Sequence, residues 1–227
     1  MDTSGSLNAL QAVVGRRSVR AFLPDPVPDT VIREILAAAS RAPSGTNIQP
    51  WQVHVVTGVA RDRIAAAGHA AASAGDMELE YQYLPSSMDE PWLSRRRAIG
   101  YALFEKYGIA RDDLAARKSA MLRNYDFFGA PVGLFFTMDR RHALGAWLDC
   151  GMFMQNVMIV ARDFGLETCP QQAWCDVGPT VHRELGIPET RIILSGMALG
   201  HEDKTAIVNS LESSRITVDG FTDWHQT

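Results

Sequence analysis

The sequence has little of what marks the more specialised protein classes. Its 227 residues include only three cysteines, Cys150, Cys169 and Cys175. An odd number without CxxC spacing argues against a disulfide scaffold and favours reduced thiols. The formal net charge is -4, so no overall positive field favours nucleic acid or an anionic membrane as a partner. Hydrophobic residues make up 46% and charged residues 21%, which excludes a disordered chain and predicts one sizeable core.

Targeting signals and long hydrophobic runs are also missing. The first eleven residues are small and polar without a basic region, unlike a signal peptide. The most apolar stretch, Cys150–Ala161, is too short to span a bilayer and contains Gln155 and Asn156. We therefore expect a soluble, cytoplasmic protein.

The spacing of apolar residues predicts both helices and strands. Apolar residues from Val31 to Ala39 fall on one helical face, and this helix must end near Pro43. His142–Phe164 predicts a long helix that is apolar on almost every face, and is therefore buried in the core, at a subunit interface, or both. No linker or repeat divides residues 1–227, so we expect a single α+β domain with a sheet flanked by helices. The predicted strands are Gln52–Thr57, Val132–Met138 and Arg191–Leu199.

Residues 77–123 interrupt this pattern. They combine the aromatic residues Tyr81, Tyr83 and Trp92 with the basic run Arg95-Arg96-Arg97, and their periodicity is irregular. Two interpretations stay open. The segment is either an excursion from the core that carries a helix pair and a lid over a pocket, or a solvated helical insertion with a structural role.

Three arginines and a serine lie close together near the N-terminus. Arg16, Arg17, Ser18 and Arg20 fall within five residues, and guanidinium groups bind phosphate oxygens through paired, charge-assisted hydrogen bonds. Alternate residues of an extended chain face one way, so Arg16, Ser18 and Arg20 would converge on one ligand. A solvated basic run has the same composition, so the motif alone leaves both interpretations open.

Two further stretches are rich in amides. The first contains Pro43, Ser44, Gly45 and Asn47 between the first predicted helix and strand. Amide side chains both donate and accept hydrogen bonds, which suits the edge of a heterocycle, although Ser, Gly and Asn are also common in plain turns. The second stretch is predicted as a loop after the long helix, and consists of Pro170, Gln171, Gln172 and Ala173.

In combination, these motifs resemble the nitroreductase family of flavoenzymes. The resemblance covers most of the chain outside residues 77–123. It implies an α+β, nitroreductase-like fold with a mainly antiparallel central sheet, an intertwined homodimer, and FMN bound at the dimer interface. The stretches that carry it are RRSVRAF from Arg16, APSGTNIQPW from Ala42, PQQAW from Pro170, and GMALGHED from Gly196 followed by Arg215.

The resemblance also implies which residues hold FMN. Arg20 would lie near the phosphate or the pyrimidine edge of the ring. The FMN phosphate would be bound by Arg16, Arg17, Ser18 and Arg215. Four residues of the partner subunit would reach FMN across the interface: Pro43, Ser44, Gly45 and Asn47. Four further residues would lie along the isoalloxazine ring: Pro170, Gln171, Gln172 and Ala173.

One position departs from the family pattern. The family often places a lysine or arginine two residues before the tail arginine, where this chain has Ser213 beside Glu212. We therefore expect the N-terminal arginines to contribute more of the phosphate binding than the tail does.

The expected activity is reduction of nitroaromatics or related small organic acceptors with NADPH or NADH, by a ping-pong, two-electron mechanism. No catalytic side chain and no metal is expected, because FMN carries the chemistry. An alternative is a flavin reductase of the same fold that dehalogenates, reduces enones or consumes its flavin. A less favoured one is a non-enzymatic anion-binding module. Six aromatic residues are candidates for stacking on a flat acceptor, and about half of them are expected in the core instead. They are Tyr81, Tyr83, Trp92, Phe127, Phe128 and Trp174.

Overall fold

A four-stranded antiparallel sheet forms the centre of the protein in a computed structural model that describes residues 7–225. The order of the strands across the sheet is β1-β2-β4-β3, and every neighbouring pair is antiparallel. The two central strands are almost wholly buried, which explains their nearly continuous apolar sequence. The strands are β1 (Gln52–Thr57), β2 (Val132–Asp139), β3 (Glu167–Gln171) and β4 (Arg191–Gly200).

Helices cover both faces of this sheet, so the predicted α+β class is confirmed. Short 3-10 helices join several elements, at Gly45–Asn47, Arg123–Gly129, Gln172–Asp176, Ile207–Ser210 and Val218–Gly220. The α-helices of the described part of the chain are α1 (Ala9–Gly15), α2 (Asp29–Ala39), α3 (Gly58–Ala74), α4 (Trp92–Lys106), α5 (Leu114–Leu122), α6 (Leu144–Asp163) and α7 (Gly178–Leu185).

Alternate residues of β2 contribute to two separate cores. Leu134 and Phe136 pack with α2 and α6 on one face, whereas Phe135 packs with α3 and α7 on the other. Side chains of a strand point alternately to the two faces of its sheet, so each strand residue belongs to one core only. Trp174, which is fully buried, lies at the centre of the second core.

Helix α6 lies only partly within the core. Among the described residues, α6 is the one helix that is long and apolar enough, by length and composition, to cross a membrane. Its most apolar window has a mean hydropathy of 1.3, and 39% of that window is buried inside the protein. Val157 and Ala161 are fully buried, whereas Leu144 and Leu148 are 81% and 71% exposed. The helix therefore carries one packed face and one uncovered apolar face.

The prediction of a loop at Pro170 is wrong. Pro170 and Gln171 belong to β3 and pair with Met197 and Gly196 of β4. Proline lacks the N–H that a central strand would use, but it is tolerated in a strand at the edge of a sheet. Gln172 and Ala173 begin the 3-10 helix that follows.

The predicted helix pair within residues 77–123 is present as α4 and α5. The start of the segment is tied to the rest of the domain, because the backbone N–H groups of Glu78 and Glu80 donate to the carbonyls of Asp176 and Cys175, at 3.0 and 2.9 Å. A lid function for the segment stays a prediction.

Candidate functional site

The arginine-rich N-terminal segment lies along the outer edge of β3. Ser18 forms a parallel bridge with Thr168, and the N–H of Val19 donates to the carbonyl of Thr168 at 3.1 Å. The side chain of Val19 is fully buried, so alternate neighbours face outward. The segment is therefore held in the extended conformation that the sequence pattern requires.

Arg16, Ser18 and Arg20 all influence the buried thiol of Cys169 in β3. Burial raises the pKa of the Cys169 thiol to about 11, while the positive charge of Arg20, a hydrogen bond with Ser18 and the charge of Arg16 act in the opposite direction. The convergence of the three side chains on one ligand stays a prediction.

Arg17 has a different partner. Its Nη2 donates to Oε1 of Glu202 at 2.6 Å, and that carboxylate side chain is only 8% exposed. The Nε of Arg17 is buried without a hydrogen-bond partner. Arg17 borders a cleft of about 570 Å³ that Lys204 and Asn209 also line.

The residues that follow Pro170 have well-defined partners. Nε2 of Gln171 donates to the carbonyl of Asn124 at 2.6 Å, whereas its Oε1 is buried and unpaired. The amide of Gln172 donates to the hydroxyl of Tyr81. Asn124 and Tyr81 both belong to residues 77–129, so this part of the chain holds the amide-rich segment through two hydrogen bonds. The local sequence, in which Asn124 precedes Tyr125 and Asp126, contains no signal for this contact.

Buried interactions fix Tyr81 itself. Its hydroxyl donates to the carbonyl of Leu194 at 2.6 Å, and its ring meets Trp147 edge to face, with 4.7 Å between the centroids. Burial is the main cause that raises the pKa of Tyr81 well above its usual range. Tyr81 therefore stays protonated at neutral pH and can donate one hydrogen bond while accepting another.

The loop from Ser44 to Gln49 has a strained backbone. Thr46, Asn47 and Gln49 have φ angles of 49°, 60° and 49°, in the left-handed region that non-glycine residues rarely adopt. The N–H of Gly45 donates to the buried carboxylate of Asp149 at 3.2 Å, and Oγ of Ser44 accepts from the N–H of Gln49 at 3.1 Å. Such strain is concentrated at functional sites, where the surrounding structure maintains it.

This loop presents its side chains to solvent in a single chain. Gly45 and Asn47 are exposed, as is Pro43, whereas Ser44 is partly buried. The loop lies beside α6, because Asp149 belongs to that helix. The amides are therefore available to a molecule outside this chain.

Arg215 lies in the C-terminal tail against α4. Its Nη1 donates to Oγ of Ser213 at 2.7 Å and to the carbonyls of Ser213 and Ser214, both at 3.0 Å. Within the described residues, these bonds to the tail are the hydrogen bonds of its side chain. Its assignment to the same phosphate stays a prediction.

The six aromatic candidates differ in exposure, and Tyr81 is partly buried. Phe127, Phe128 and Trp174 are fully buried in the core, as expected for half of the set. Tyr83 and Trp92 are 64% and 60% exposed, so these two remain candidates for contact with an acceptor.

The donor set fits a phosphate-bearing heterocycle. Within residues 7–225, the guanidinium of Arg16 makes no ion pair and that of Arg20 bonds only the carbonyl of Ser18, so both can bind an anion. The unpaired Oε1 of Gln171 matches the N–H donor of a ring such as isoalloxazine. No group of three or more potential metal ligands occurs in this part of the chain.

Comparisons with known proteins identify the relatives of this chain. The family model described as the nitroreductase family matches residues 13–201. A chloronitrobenzene nitroreductase of Comamonas testosteroni is 38% identical over 209 residues, which cover 91% of this chain and 92% of the relative.

Solved structures agree over the whole fold. The FMN- and NADPH-dependent nitroreductase NfnB of Sphigopyxis sp. strain HMH has a TM-score of 0.95 at 42% identity, covering 97% of this chain and 100% of that one. The FMN-dependent NfnB of Mycobacterium smegmatis, solved in complex with NADPH, has a TM-score of 0.92 at 32% identity, covering 96% of this chain and 98% of that one. The chain belongs to the nitroreductase family.

Proposed function

We propose that this protein is an FMN-dependent oxidoreductase that uses NADPH or NADH to reduce nitroaromatic compounds or related small acceptors. The observation that carries the proposal is the pairing of the arginine-rich segment, through Ser18 and Val19, with Thr168 of the strand that ends in the amide-rich residues. Relatives of similar length and fold that are named nitroreductases support it.

Each part of the site has a proposed role. Arg16 and Ser18 bind the FMN phosphate by charge-assisted hydrogen bonds. Arg17 adds a donor beside its ion pair with Glu202, since its Nε has no partner, and Arg215 reaches the same phosphate from the tail. Arg20 places a positive charge near the phosphate or the pyrimidine edge, where it stabilises negative charge. The ring lies against the strand end and the 3-10 helix, at Pro170, Gln171, Gln172 and Ala173.

Bound FMN would supply the two-electron chemistry of the reaction. The residues of this chain bind and orient it, and no protein nucleophile is needed. Because donor and acceptor would use the same face in turn, initial rates should follow ping-pong kinetics, with parallel double-reciprocal lines. Intersecting lines would contradict this mechanism.

We also propose that the working form is a homodimer. The exposed apolar face of α6 and the exposed loop of Pro43, Ser44, Gly45 and Asn47 lie next to each other. An exposed apolar patch of this kind is typical of a protein interface. In the dimer, this loop would reach the FMN bound mainly by the other chain. The buried, reduced state of all three cysteines supports a cytoplasmic location.

The visible spectrum of the purified protein tests the function. FMN-loaded protein should show flavin absorbance that is bleached by NADPH or NADH without oxygen and restored by a nitroaromatic such as 4-nitrobenzoate. A protein that binds no added FMN would refute the proposal. Bleaching that an enone or halophenol reverses, but no nitroaromatic does, would instead favour a different acceptor class.

A further inference from the structure

The 3-10 helix Arg123–Gly129, the supporting turn, is hydrogen-bonded to the amide-rich segment at two points. The carbonyl of Asn124 accepts from Nε2 of Gln171 at 2.6 Å, and the hydroxyl of Tyr125 donates to the carbonyl of Ala173 at 3.0 Å. The first bond uses a backbone carbonyl, which any residue at that position would provide. The second depends on the Tyr125 side chain, and none of the roles proposed above accounts for it.

Tyr125 is held firmly in place. Its side chain is 4% exposed, and its ring meets that of Trp174 edge to face, with 5.2 Å between the centroids. A Cβ added at Gly68 of α3 would lie only 3.2 Å from Cδ1 of Tyr125, so the helix packs directly against the ring. A side chain whose rotamer is locked by packing directs its hydroxyl at one acceptor.

The direction of this hydrogen bond is fixed by chemistry. Burial is the main cause that raises the pKa of Tyr125 well above its usual range, so the hydroxyl keeps its proton at neutral pH. The carbonyl of Ala173 can only accept. The peptide group that joins Ala173 to Trp174 is therefore held in one orientation.

The backbone of the supporting turn is strained next to Tyr125. Phe127 and Phe128 both have a φ angle of 55°, a conformation that bulky residues rarely adopt. Arg61 of α3 bonds to the backbone on both sides of this pair, from Nε to the carbonyl of Ala130 at 3.1 Å and from Nη2 to the carbonyl of Asp126. Strain of this kind persists only where the surrounding structure maintains it, and it is concentrated at functional sites.

We propose that Tyr125 is a positioning residue of the flavin site. Through the carbonyl of Ala173 it fixes the peptide that, in the proposed function, lies along the isoalloxazine ring, so the inference rests on that function. Dipoles that are oriented before the reaction stabilise developing charge without reorganising. A misplacement of about 1 Å can slow a reaction about a hundredfold, so the orientation of this peptide determines how readily bound flavin accepts electrons.

Stopped-flow reduction and redox titration of the FMN-loaded protein test this role. Tyr125→Phe keeps the ring and removes only the hydroxyl, so the FMN content should equal that of the wild type. The rate constant for bleaching at saturating NADPH should fall about tenfold or more. The midpoint potential of bound FMN, measured against a reference dye with dithionite as reductant, should become more negative, because reduced flavin is less well stabilised. A wild-type rate constant together with a wild-type potential would overturn the proposal.

Val181→Ala and Tyr101→Phe are the matched controls. Val181 of α7 is fully buried in the same core as Tyr125, so its truncation lowers stability without removing a bond to the amide-rich segment. Tyr101→Phe removes a hydroxyl from a ring of α4 that is 43% exposed. Both variants should keep the wild-type rate and potential. An equal change in Val181→Ala would show a general effect of core stability and would refute a positioning role.

The two measurements separate this inference from the proposed function. If neither NADPH nor NADH reduces the wild-type flavin, the proposed function fails, and the potential of Tyr125→Phe still decides the role of the hydroxyl. A wild-type protein that binds no FMN would refute both. If NADPH reduces the wild type and Tyr125→Phe alike and their potentials agree, the inference about Tyr125 alone fails.

Discussion

Two neighbouring arginines show how residues of one type acquire different roles. Arg17 is paired with the nearly buried Glu202, and this ion pair attaches the N-terminal segment to the chain after β4. Arg16 has no ion pair within residues 7–225, so its charge is available to a ligand. The sequence alone could not distinguish the two, because Glu202 lies 185 residues further along the chain.

The first prediction concerns Arg16. Arg16→Ala should weaken FMN binding by about 1.5–3 kcal/mol, the range for a hydrogen bond to a charged group. Equilibrium titration of the apoprotein with FMN, followed by flavin fluorescence, measures the change. Arg33→Ala, at an exposed position of α2, is the matched control and should bind FMN like the wild type. Equal affinities for both variants would exclude Arg16 as a phosphate ligand.

The second prediction concerns Glu80, whose role no local pattern in the sequence indicates. Its side chain is 3% exposed and accepts hydrogen bonds from Arg140 at 2.6 Å and His182 at 2.7 Å. Glu80→Gln removes the negative charge that faces Arg140 and His182, so it should lower the free energy of unfolding by about 1.5–3 kcal/mol, the range for hydrogen bonds to a charged group. Urea unfolding measures this loss.

Two further variants check the Glu80 prediction. Glu78→Gln, at an exposed position two residues earlier, should unfold like the wild type. Gly178→Ala should also lower the free energy of unfolding, because the added Cβ would lie 2.5 Å from Oε1 of Glu80 and would crowd that carboxylate. A Glu80→Gln variant with the wild-type unfolding midpoint would show that the buried cluster contributes nothing to stability.

At the scale of secondary structure, apolar periodicity predicted most elements. β1 has the predicted bounds, α2 contains the predicted apolar face from Val31 to Ala39, and β2 and β4 are each one residue longer than predicted. β3 was not predicted, since its five residues include a proline and three polar side chains, Glu167, Thr168 and Gln171. Its conformation is imposed by pairing with β4 and by the N-terminal segment, and a local pattern does not record such long-range contacts.

The third prediction concerns α6. Leu144 and Leu148 are one helical turn apart and largely exposed in a single chain. Leu144→Glu/Leu148→Glu would bury two charges in the proposed interface and should shift the protein from dimer to monomer. Light scattering after size exclusion measures the mass. Leu114→Glu on α5, where the leucine is also 72% exposed, should leave the dimer intact. Monomeric wild-type protein would refute the interface.

At the scale of the whole molecule, the arginine motif at Arg16 and the amide-rich motif at Pro170 are separated by more than 100 residues in the sequence, and the fold accounts for their proximity. The antiparallel pairing of β3 with β4 and the bridge from Ser18 to Thr168 bring two motifs together. The loop at Asn47 does not join them within one chain. A family resemblance could indicate its role, whereas periodicity and composition of a single chain carry no information about a partner subunit.

The fourth prediction tests this shared site. If FMN contacts Arg16 of one chain and Asn47 of the other, a mixed dimer of Arg16→Ala and Asn47→Ala chains contains one intact site. Mixing and refolding the two impaired variants should therefore restore about a quarter of wild-type activity, from random pairing of subunits. The same mixture prepared without subunit exchange is the control. No recovery on exchange would place both residues in the site of a single chain.

The extended segment beside β3 also protects the molecule from aggregation. β3 is an edge strand, and the exposed edge of a sheet readily pairs with strands of other molecules. Ser18 and Val19 cover this edge through their contacts with Thr168. A protein shortened as far as Phe22 would therefore tend to form insoluble, sheet-rich assemblies, whether or not FMN is supplied.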